Sequence, residues 1–349
     1  GMSGILAAVK LIESGNENVT VFEKAADLGG TWRDNRYPGL TCDTPSHAYS
    51  YSFALNPEWK SYYAAGPEIQ AYFRNVAVER GVIPHIRYNS EVTSLRFNEG
   101  RSVWEIGLVD GGVTEADVVI AASGVLHHPN IPALPGLETF AGKAFHSARW
   151  DDSAVLDDAR VGVVGCGSTG IQIVNALSSR SSHVVHLSRS PQWIMPVPRV
   201  SVPQFDYTDE QKAAFASDDS AINAVRRDPD YWASIYRFTD GVTDSNSPEI
   251  AEIEAICRQY LEDKIKDPDL LEKMRPNYQA ACKRLIYNWE YYDNIQKPNV
   301  FVETGGIERI EPEGVRMKDG TLHELDVLVL ATGFDAMDAE VLAAHRSPG

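Results

Sequence analysis

Apolar residues follow two different periods along this chain, and the changes between them outline its strands and helices. A short β-branched run at Val161–Val164 predicts a strand, and apolar residues at helical spacing over Ile171–Leu177 predict a helix. A second apolar run at Val184–Leu187 predicts the next strand. Strand, turn, helix and strand in this order are typical of a parallel α/β unit.

Glycines occupy the turn between that first strand and its helix with the spacing G-x-G-x-x-G. Gly165 would permit the tight turn, Gly167 would let the backbone approach a pyrophosphate, and Gly170 would let helix and strand pack closely. The motif and its flanking elements together predict a dinucleotide site. A glycine-rich turn without a ligand is the alternative.

The end of the second strand indicates which dinucleotide this site would take. A site for NAD places a carboxylate there for the ribose 2′-hydroxyl, whereas this chain has Arg189 between Ser188 and Ser190. Because a guanidinium and hydroxyls suit a 2′-phosphate, we predict an NADP(H) site. A surface arginine unrelated to any ligand is the alternative.

The first residues repeat the later part of the same motif. Gly1 and Gly4 stand as second and third glycines in front of a predicted helix, and the strand that would precede them is absent from the sequence. The chain is therefore expected to begin inside a nucleotide-binding unit. The predicted strand Val19–Phe22 ends in Glu23, 22 residues after Gly1, which suits an unphosphorylated adenosine ribose such as that of FAD. A solvated strand end is the alternative.

The stretch Leu28–Phe53 has neither period and is rich in glycine, proline and aromatic residues. Long irregular stretches in compact domains are commonly functional. Gly30 and its neighbouring glycine can approach a phosphate or a ring, Trp32 offers a stacking face, and Asp43 is a carboxylate in an aromatic setting. A turn or capping role for Asp43 is the alternative.

The chain carries a weak internal repeat. A buried strand is predicted at Val118–Ala122, and a crossing with Pro129, Pro132 and Pro135 follows it as a domain boundary. Val92–Gly124 shows the order strand, Asp-Gly turn, strand and small-residue end, and the same order recurs at Ile307–Gly333. The repeat predicts two related dinucleotide-binding units in one chain.

Helical spacing predicts a helix at Gly66–Arg80. It predicts three more in an acidic, aromatic-rich region, at Thr208–Ala216, Ala221–Phe238 and Glu249–Lys264. We interpret this region as a helical insertion with its own small core, which could also cover a substrate pocket.

These elements predict an α/β fold with two dinucleotide-binding, Rossmann-like domains, one for FAD and one for NADP, and a helical insertion in the NADP domain. The FAD domain would cover residues 1–138, without its first strand, and the chain would return to it over 331–349. The NADP domain would cover residues 139–199 and 283–330, and the insertion residues 200–282.

Composition narrows the possible partners. The net charge of −17 and a pI near 4.9 argue against a nucleic-acid or anionic-membrane surface, so a dinucleotide must be held by local cations. Four cysteines without a C-x-x-C make a zinc ribbon or a dithiol centre improbable. No apolar run reaches about 18 residues and no secretory leader is visible. We therefore predict a cytoplasmic protein without a metal site.

Phe140, Gly142, His146, Trp150 and Asp151 form the pattern F-x-G-x-x-x-H-x-x-x-W-D. With this pattern the chain resembles the class B flavoprotein monooxygenases and, within them, the Baeyer–Villiger monooxygenases, whose fingerprint is F-x-G-x-x-x-H-x-x-x-W followed by Pro or Asp. The flavin-containing monooxygenases that oxidise nitrogen or sulfur usually carry Tyr or Phe at the tryptophan position. The motifs GGTWRDNRYPG, the second G-x-G-x-x-G and ATGFD extend the resemblance over essentially the whole chain.

The resemblance implies a set of site residues. For FAD they are Gly1, Gly4, Glu23, Gly30, Thr31, Trp32, Asp43 and Tyr49. For NADP they are Gly165, Gly167, Ser168, Thr169, Gly170, Gln172, Arg189, Ser190 and Lys283. Arg284, paired with Asp43, would be the catalytic cation. We expect His146 and Trp150 to lock the inter-domain hinge, and direct catalysis is the alternative for them.

The resemblance also implies the reaction. NADPH would reduce FAD, O2 would add at the flavin C4a position, and the resulting peroxide would attack a ketone to give an ester or lactone. Because a guanidinium keeps its proton, Arg284 could stabilise the anions of this sequence without acting as their acid.

Two alternatives stay open. The chain could be a flavin monooxygenase that oxygenates nitrogen or sulfur, or a non-catalytic NADP-binding fragment. The family normally has a complete first strand and a further C-terminal part, so an incomplete FAD site is expected here.

Overall fold

The computed structural model describes residues 1–16, 18–196, 206–244 and 246–335, and its contacts group the chain into two compact units. The first unit contains Gly1–Arg36, Gly66–Asn130 and the described residues after Gly333. The second contains Tyr37–Ala65 and Ile131–Gly333. The domain boundaries given above stay a prediction, and from residue 336 onward the predicted return over 331–349 lies outside the described residues.

The first unit combines three helices with two small sheets. The helices are α1 (Met2–Glu13), α2 (Thr31–Asp34) and α3 (Gly66–Glu79); the strands are β1 (Val21–Phe22), β2 (Ile86–Arg87), β3 (Val92–Asn98), β4 (Val103–Leu108) and β5 (Val113–Ala116). β1 and β2 pair in parallel, and β3, β4 and β5 form an antiparallel meander. The helices predicted after Gly1 and at Gly66–Arg80 are confirmed, and both bury apolar faces that include Val9 and Phe73.

The predicted buried strand Val118–Ala122 is wrong. The segment has no regular structure, and Val118 and Ile120 are 73% and 55% exposed. Among the described residues no strand pairs with it. A β-branched run becomes a strand only where a neighbour satisfies its backbone hydrogen bonds and packs against its side chains.

The second unit is built around a larger sheet. Its strands are β6 (Lys143–His146), β7 (Arg160–Val164), β8 (His183–Leu187), β9 (Ile194–Met195), β10 (Ile286–Tyr287), β11 (Val300–Glu303), β12 (Ile307–Glu311), β13 (Gly314–Met317), β14 (Leu322–Glu324) and β15 (Val327–Leu330). Its helices are α4 (Ser168–Leu177), α5 (Asp209–Ser217), α6 (Asp219–Arg226), α7 (Pro229–Thr243), α8 (Pro248–Lys264), α9 (Pro268–Met274) and α10 (Tyr291–Asn294). Five strands form one parallel sheet in the order β11-β8-β7-β15-β6.

Both faces of this sheet are covered, which explains why its strands are apolar throughout. Val161 and Val163 belong to a core shared with α4. Val164 and Leu328 belong to a second core, shared with the antiparallel sheet β12-β13-β14. The strands predicted at Val161–Val164 and at Val184–Leu187 are therefore confirmed, as is the helix between them.

The helical insertion is present, but one of its predicted helices is divided. The sequence predicts a single helix over Ala221–Phe238, whereas α6 ends at Arg226 and α7 begins at Pro229. Asp228 caps α7, because its Oδ1 accepts hydrogen bonds from the backbone N–H groups of Asp230 and Tyr231, at 2.9 and 3.2 Å. Proline fits the first helical turn and not its interior, so the chain restarts there. In the described part of the chain, no helix has the length and apolarity needed to cross a membrane.

Candidate functional site

The glycine turn of the second unit lies between β7 and α4, as predicted. Gly165 has φ 110°, and a Cβ there would lie 2.3 Å from the Ala331 carbonyl oxygen. A Cβ on Gly170 would lie 2.1 Å from the Gly165 oxygen. Gly167, in contrast, is exposed and a Cβ there would meet nothing within 4 Å. The first and third glycines are required by packing, and the second leaves open space at the start of α4, where Ser168 and Thr169 are half-buried.

A buried histidine fixes this turn, and the sequence analysis missed it. His186 lies on β8, fully buried, with Nε2 2.9 Å from the Gly165 oxygen and Nδ1 2.7 Å from the Tyr291 hydroxyl. A carbonyl only accepts, so Nε2 carries the proton and Nδ1 accepts from Tyr291. Burial lowers the pKa of His186 to about 4, which keeps the ring neutral. A polar ring within the apolar run HVVHL was the available signal.

Thr169 and Gln172, both predicted for NADP, contact the segment that begins at Tyr37. The Tyr37 hydroxyl donates to Gln172 Oε1 at 3.0 Å and lies 3.3 Å from Thr169 Oγ1. Gln172 Nε2 donates to the Thr41 carbonyl at 3.1 Å. Burial raises the pKa of Tyr37 to about 12, so its hydroxyl remains a donor. The segment that begins at Tyr37 is thus attached to the flank of α4.

Cations lie near the same turn. Arg189 is exposed at the end of β8, Ser190 is half-buried, and Lys283 is exposed with its ammonium 4.3 Å from the centre of the Tyr278 ring. In the described residues neither Arg189 nor Lys283 forms an ion pair with a carboxylate. Both charges are available to an anion.

Arg284 and Asp43, which the resemblance pairs, are in contact. Arg284 Nη2 lies 2.5 Å from Asp43 Oδ2, and the Arg284 side chain is 72% exposed. Burial of its inner part favours a lower pKa, but the charge and hydrogen bond of Asp43 outweigh this and raise the pKa of Arg284. The guanidinium is therefore a permanent cation, held on one side and open on the other.

In the first unit, the predicted glycines approach one another closely. Gly30 has φ 57°, and a Cβ there would lie 2.9 Å from the Gly1 Cα. Gly4 is less constrained, because its Cβ would make an ordinary 3.7 Å contact with Ala122. Thr31 and Trp32 form the start of α2, and Trp32 is half-buried. Asp43 and Tyr49, also predicted for FAD, belong to the second unit.

Glu23 is held by an arginine that the sequence analysis missed. Its Oε1 accepts from the Ala25 backbone N–H at 3.0 Å and from Arg33 Nη1 at 2.9 Å. Arg33 Nε in turn donates to Asp34 at 2.9 Å. The three charged groups are all partly buried. One carboxylate oxygen of Glu23 is thus fixed, and the other, Oε2, lies 3.8 Å from the backbone nitrogen of Gly1.

The fingerprint histidine joins two distant segments of the second unit. His146 Nε2 donates to the Gly333 carbonyl at 2.9 Å, and its Nδ1 accepts from the Ala148 backbone N–H at 3.1 Å. Burial lowers the pKa of His146. Trp150 packs edge-on against Phe145, with ring centres 5.0 Å apart. Gly333 is the residue at which the chain leaves the second unit, and the predicted role of His146 in an inter-domain hinge stays a prediction.

Comparison with known proteins decides the family. Residues 1–207 match the family described as flavin-binding monooxygenase-like, which is more than half of the chain. The chain belongs to this family. The predicted kinship with its Baeyer–Villiger members is confirmed by curated relatives that carry that name.

Two curated relatives, one of which carries the Baeyer–Villiger name, illustrate the extent of the match. An uncharacterized monooxygenase of Mycobacterium tuberculosis is 40% identical over 318 residues, covering 90% of this chain and 62% of the relative. A Baeyer–Villiger monooxygenase of Streptomyces coelicolor is 37% identical over 345 residues, covering 98% of this chain and 64% of the relative. The chain thus spans somewhat less than two thirds of these flavin-binding monooxygenases.

Solved structures of the family agree with the fold. The open crystal structure of cyclohexanone monooxygenase aligns with a TM-score of 0.83 at 31% identity, covering 97% of this chain and 73% of that one. Cyclohexanone monooxygenase from Rhodococcus sp. Phi1, bound to NADP+, aligns with a TM-score of 0.82 at 32% identity, covering 97% and 70%. The predicted α/β class with two Rossmann-like domains is confirmed.

Proposed function

We propose that the protein is a Baeyer–Villiger monooxygenase that uses FAD and NADPH to insert one oxygen atom of O2 into a ketone, giving an ester or lactone. The observation that carries the proposal is the contact between Arg284 and Asp43, next to Lys283 in sequence and in the same unit as the glycine turn. When bound, FAD supplies oxygen activation and NADPH supplies hydride.

The residues of the second unit fit NADPH. Gly167 leaves the backbone accessible at the start of α4, where N–H groups and the helix dipole favour a pyrophosphate. Arg189 and Lys283 provide positive charge for a 2′-phosphate in a chain whose net charge is −17. A solved relative carries NADP+ in its crystal structure, which supports the same ligand here.

The residues of the first unit fit the adenosine half of FAD. Gly30 and the start of α1 form a close glycine contact of the kind that admits a phosphate. Glu23 presents a carboxylate whose orientation Arg33 fixes, and a ribose hydroxyl can donate to its second oxygen. Gly1, Gly4, Thr31, Trp32, Asp43 and Tyr49 complete the proposed FAD set.

Arg284 is the proposed catalytic cation. Oxygen transfer to a ketone passes through a tetrahedral oxyanion, and a preorganised donor stabilises such a charge most when it needs no reorientation. Asp43 fixes one face of the guanidinium and leaves the rest of it exposed. Because the pKa of Arg284 is raised, the group donates hydrogen bonds without losing its proton.

Product analysis tests the proposal. The FAD-loaded protein is supplied with NADPH, O2 and an equimolar mixture of a cyclic ketone and a thioether, and both oxidised products are quantified. We expect lactone as the main product. Sulfoxide without lactone would assign the protein to heteroatom oxygenation, and failure to take up FAD would leave only a non-catalytic NADP-binding role.

A further inference from the structure

A chain of polar contacts runs from the glycine turn to Lys283. The Cys166 thiol, between the first two glycines, donates to the Ser190 carbonyl at 3.4 Å, and Gln192 Nε2 donates to the same oxygen at 3.4 Å. Gln192 Oε1 accepts from the Tyr278 hydroxyl at 2.8 Å. The Tyr278 ring then carries the Lys283 ammonium on its face, 4.3 Å from the ring centre.

Tyr278 is fixed at both ends by the segment that follows β8. Its hydroxyl is bound to Gln192, and its backbone carbonyl accepts from Trp193 Nε1 at 2.7 Å. Burial raises the pKa of Tyr278 to about 12, so the hydroxyl keeps the proton that it donates. The ring is therefore a rigid surface whose position depends on the segment that follows β8, which contains Gln192 and Trp193.

The ammonium of Lys283 lies close to the turn, and no carboxylate among the described residues pairs with it. Burial raises the pKa of the Cys166 thiol, and the positive charge of Lys283 opposes that rise. A neighbouring cation behaves differently: Arg258 lies over the Trp193 ring at 5.6 Å but pairs with Glu254 at 2.7 Å. Of these two stacked cations, only Lys283 is free to bind an added anion.

We infer that Tyr278 and Gln192 position the ammonium of Lys283 for the 2′-phosphate and thereby help to set the preference for NADPH over NADH. The inference rests on the proposed nucleotide function and adds two positioning residues to it. A lysine side chain is flexible, and an aromatic face that holds its ammonium reduces the entropy lost on binding. The gain applies only to a ligand that carries the 2′-phosphate.

Two small ligands isolate this phosphate. 2′,5′-ADP and 5′-AMP share the adenosine and differ in the 2′-phosphate, so the ratio of their dissociation constants measures the subsite. We expect Tyr278→Ala to weaken 2′,5′-ADP about five- to ten-fold and to change 5′-AMP less than about two-fold. Gln192→Leu and Tyr278→Phe keep the aromatic ring but remove the hydrogen bond between Tyr278 and Gln192 that fixes it. We expect each to weaken the affinity for 2′,5′-ADP about two- to three-fold.

A double variant separates positioning from direct contact. If Tyr278 acts through Lys283, the variant with both Tyr278→Ala and Lys283→Ala should bind 2′,5′-ADP no more weakly than Lys283→Ala alone. Arg258→Ala removes a stacked cation that already has a carboxylate partner, and it should leave the ratio unchanged. Unchanged thermal melting of Tyr278→Phe and Gln192→Leu keeps the test valid if Tyr278→Ala fails to fold.

The outcomes test the positioning role of Tyr278 and Gln192 separately from the proposed binding of NADPH. Additive losses in the double variant, or equal losses for both ligands, would overturn the positioning role and leave NADPH binding intact. A wild-type protein that binds 2′,5′-ADP no better than 5′-AMP would overturn the NADP assignment itself.

Discussion

Two segments of this chain have the same sequence pattern and different structures. Val113–Gly124 and Leu322–Gly333 each contain a short strand, an acidic residue, a β-branched or leucine-rich run and a small-residue end with glycine. The terminal glycines, Gly124 and Gly333, have nearly the same φ, 77° and 82°. Yet the run in the second segment is β15, exposed by 3% or less at every residue, whereas the run in the first is an exposed irregular stretch.

Neighbouring strands account for the difference. β15 lies between β7 and β6 and pairs with both in parallel. The run in the first unit has no paired strand in the part of the chain that the structure describes. An apolar run thus specifies that a segment can be a central strand, and the presence of partners decides whether it is one.

Paired truncations test this explanation directly and should give the largest difference. Leu328→Ala removes a fully buried side chain from β15 and should lower the free energy of unfolding by about 2–5 kcal/mol. Ile120→Ala, at the matching run in the first unit, should change it by less than about 0.5 kcal/mol. Urea titration followed by circular dichroism measures both. Equal losses would show that Ile120 is buried in solution.

The next largest effect concerns Arg284, which lies in the second unit together with Asp43. Arg284→Ala should reduce ester formation by roughly a hundred- to a thousand-fold, or about 2.7–4 kcal/mol, because it removes a preorganised donor from an oxyanion. NADPH binding should persist, since Arg189, Lys283 and the glycine turn are untouched. Arg284→Lys should recover activity only in part, because an ammonium lacks the fork that binds Asp43 and an oxyanion together. Ester must be quantified, since NADPH consumption also reports uncoupled turnover.

The first unit is predicted to bind an unphosphorylated adenosine ribose and the second a ribose with a 2′-phosphate. Arg189 is the residue in the second unit on which this difference depends most. Arg189→Ala should weaken NADPH by roughly 1.5–3 kcal/mol, the value of a lost charged hydrogen bond. NADH, without the 2′-phosphate, should be affected far less. Titration of both nucleotides by fluorescence gives the comparison, and an equal loss for both would refute the 2′-phosphate role.

The free energy of unfolding should depend on pH through His186, the buried histidine that contacts the glycine turn of the second unit. The folded pKa of His186 is lowered to about 4, whereas an unfolded histidine titrates near ~6.5. Its contribution to stability is therefore complete above the unfolded pKa and is lost as pH falls toward the folded one, at about 1.4 kcal/mol per pH unit. Relative to wild type, His186→Gln should flatten the stability curve in this window. His47, also buried with its pKa lowered to about 4, stays in both proteins and cancels in the difference.

The smallest expected effect lies in the first unit. Arg33→Ala should weaken FAD by roughly 0.5–1.5 kcal/mol, because Arg33 acts on the ribose only through Glu23. Arg74→Ala is the matched control, since Arg74 pairs with the exposed Asp27 nearby. FMN, which lacks the adenosine half, should not distinguish Arg33→Ala from wild type. Flavin fluorescence quenching provides the measurement.

The sequence predicted the second unit better than the first, and the reasons are physical. The strands on either side of the Gly165 turn and its helix, β7 and β8, pair with each other and with the later strands β15 and β11. Local periodicity and glycine spacing therefore agree with the tertiary structure. The run at Val118–Ala122 fails because strand formation is non-local. The division of the predicted helix before Pro229 could have been predicted from the sequence, because Asp228 followed by a proline is a signal for the start of a new helix.

The candidate site shows the same limit. Arg284 and Asp43 could be paired beforehand only through the resemblance, since 241 positions separate them. His186 and Arg33 were missed because their partners, Gly165 and Glu23, become neighbours only through the fold. Periodicity identifies which side chains are buried; it does not identify the polar atom that each one meets.

The strand order of the central sheet also has a consequence for biosynthesis. β6 and β7 are synthesised one after the other, but the strand between them, β15, begins at Val327, after the ribosome has added another 180 residues beyond His146. At about 5–20 residues per second this interval lasts roughly 10–40 s. From the completion of β7 at Val164 until β15 is made, the facing edges of β6 and β7 present unpaired backbone groups. The nascent chain therefore depends on β15 to close this sheet, and a chaperone that shields those two edges would act before Val327 emerges.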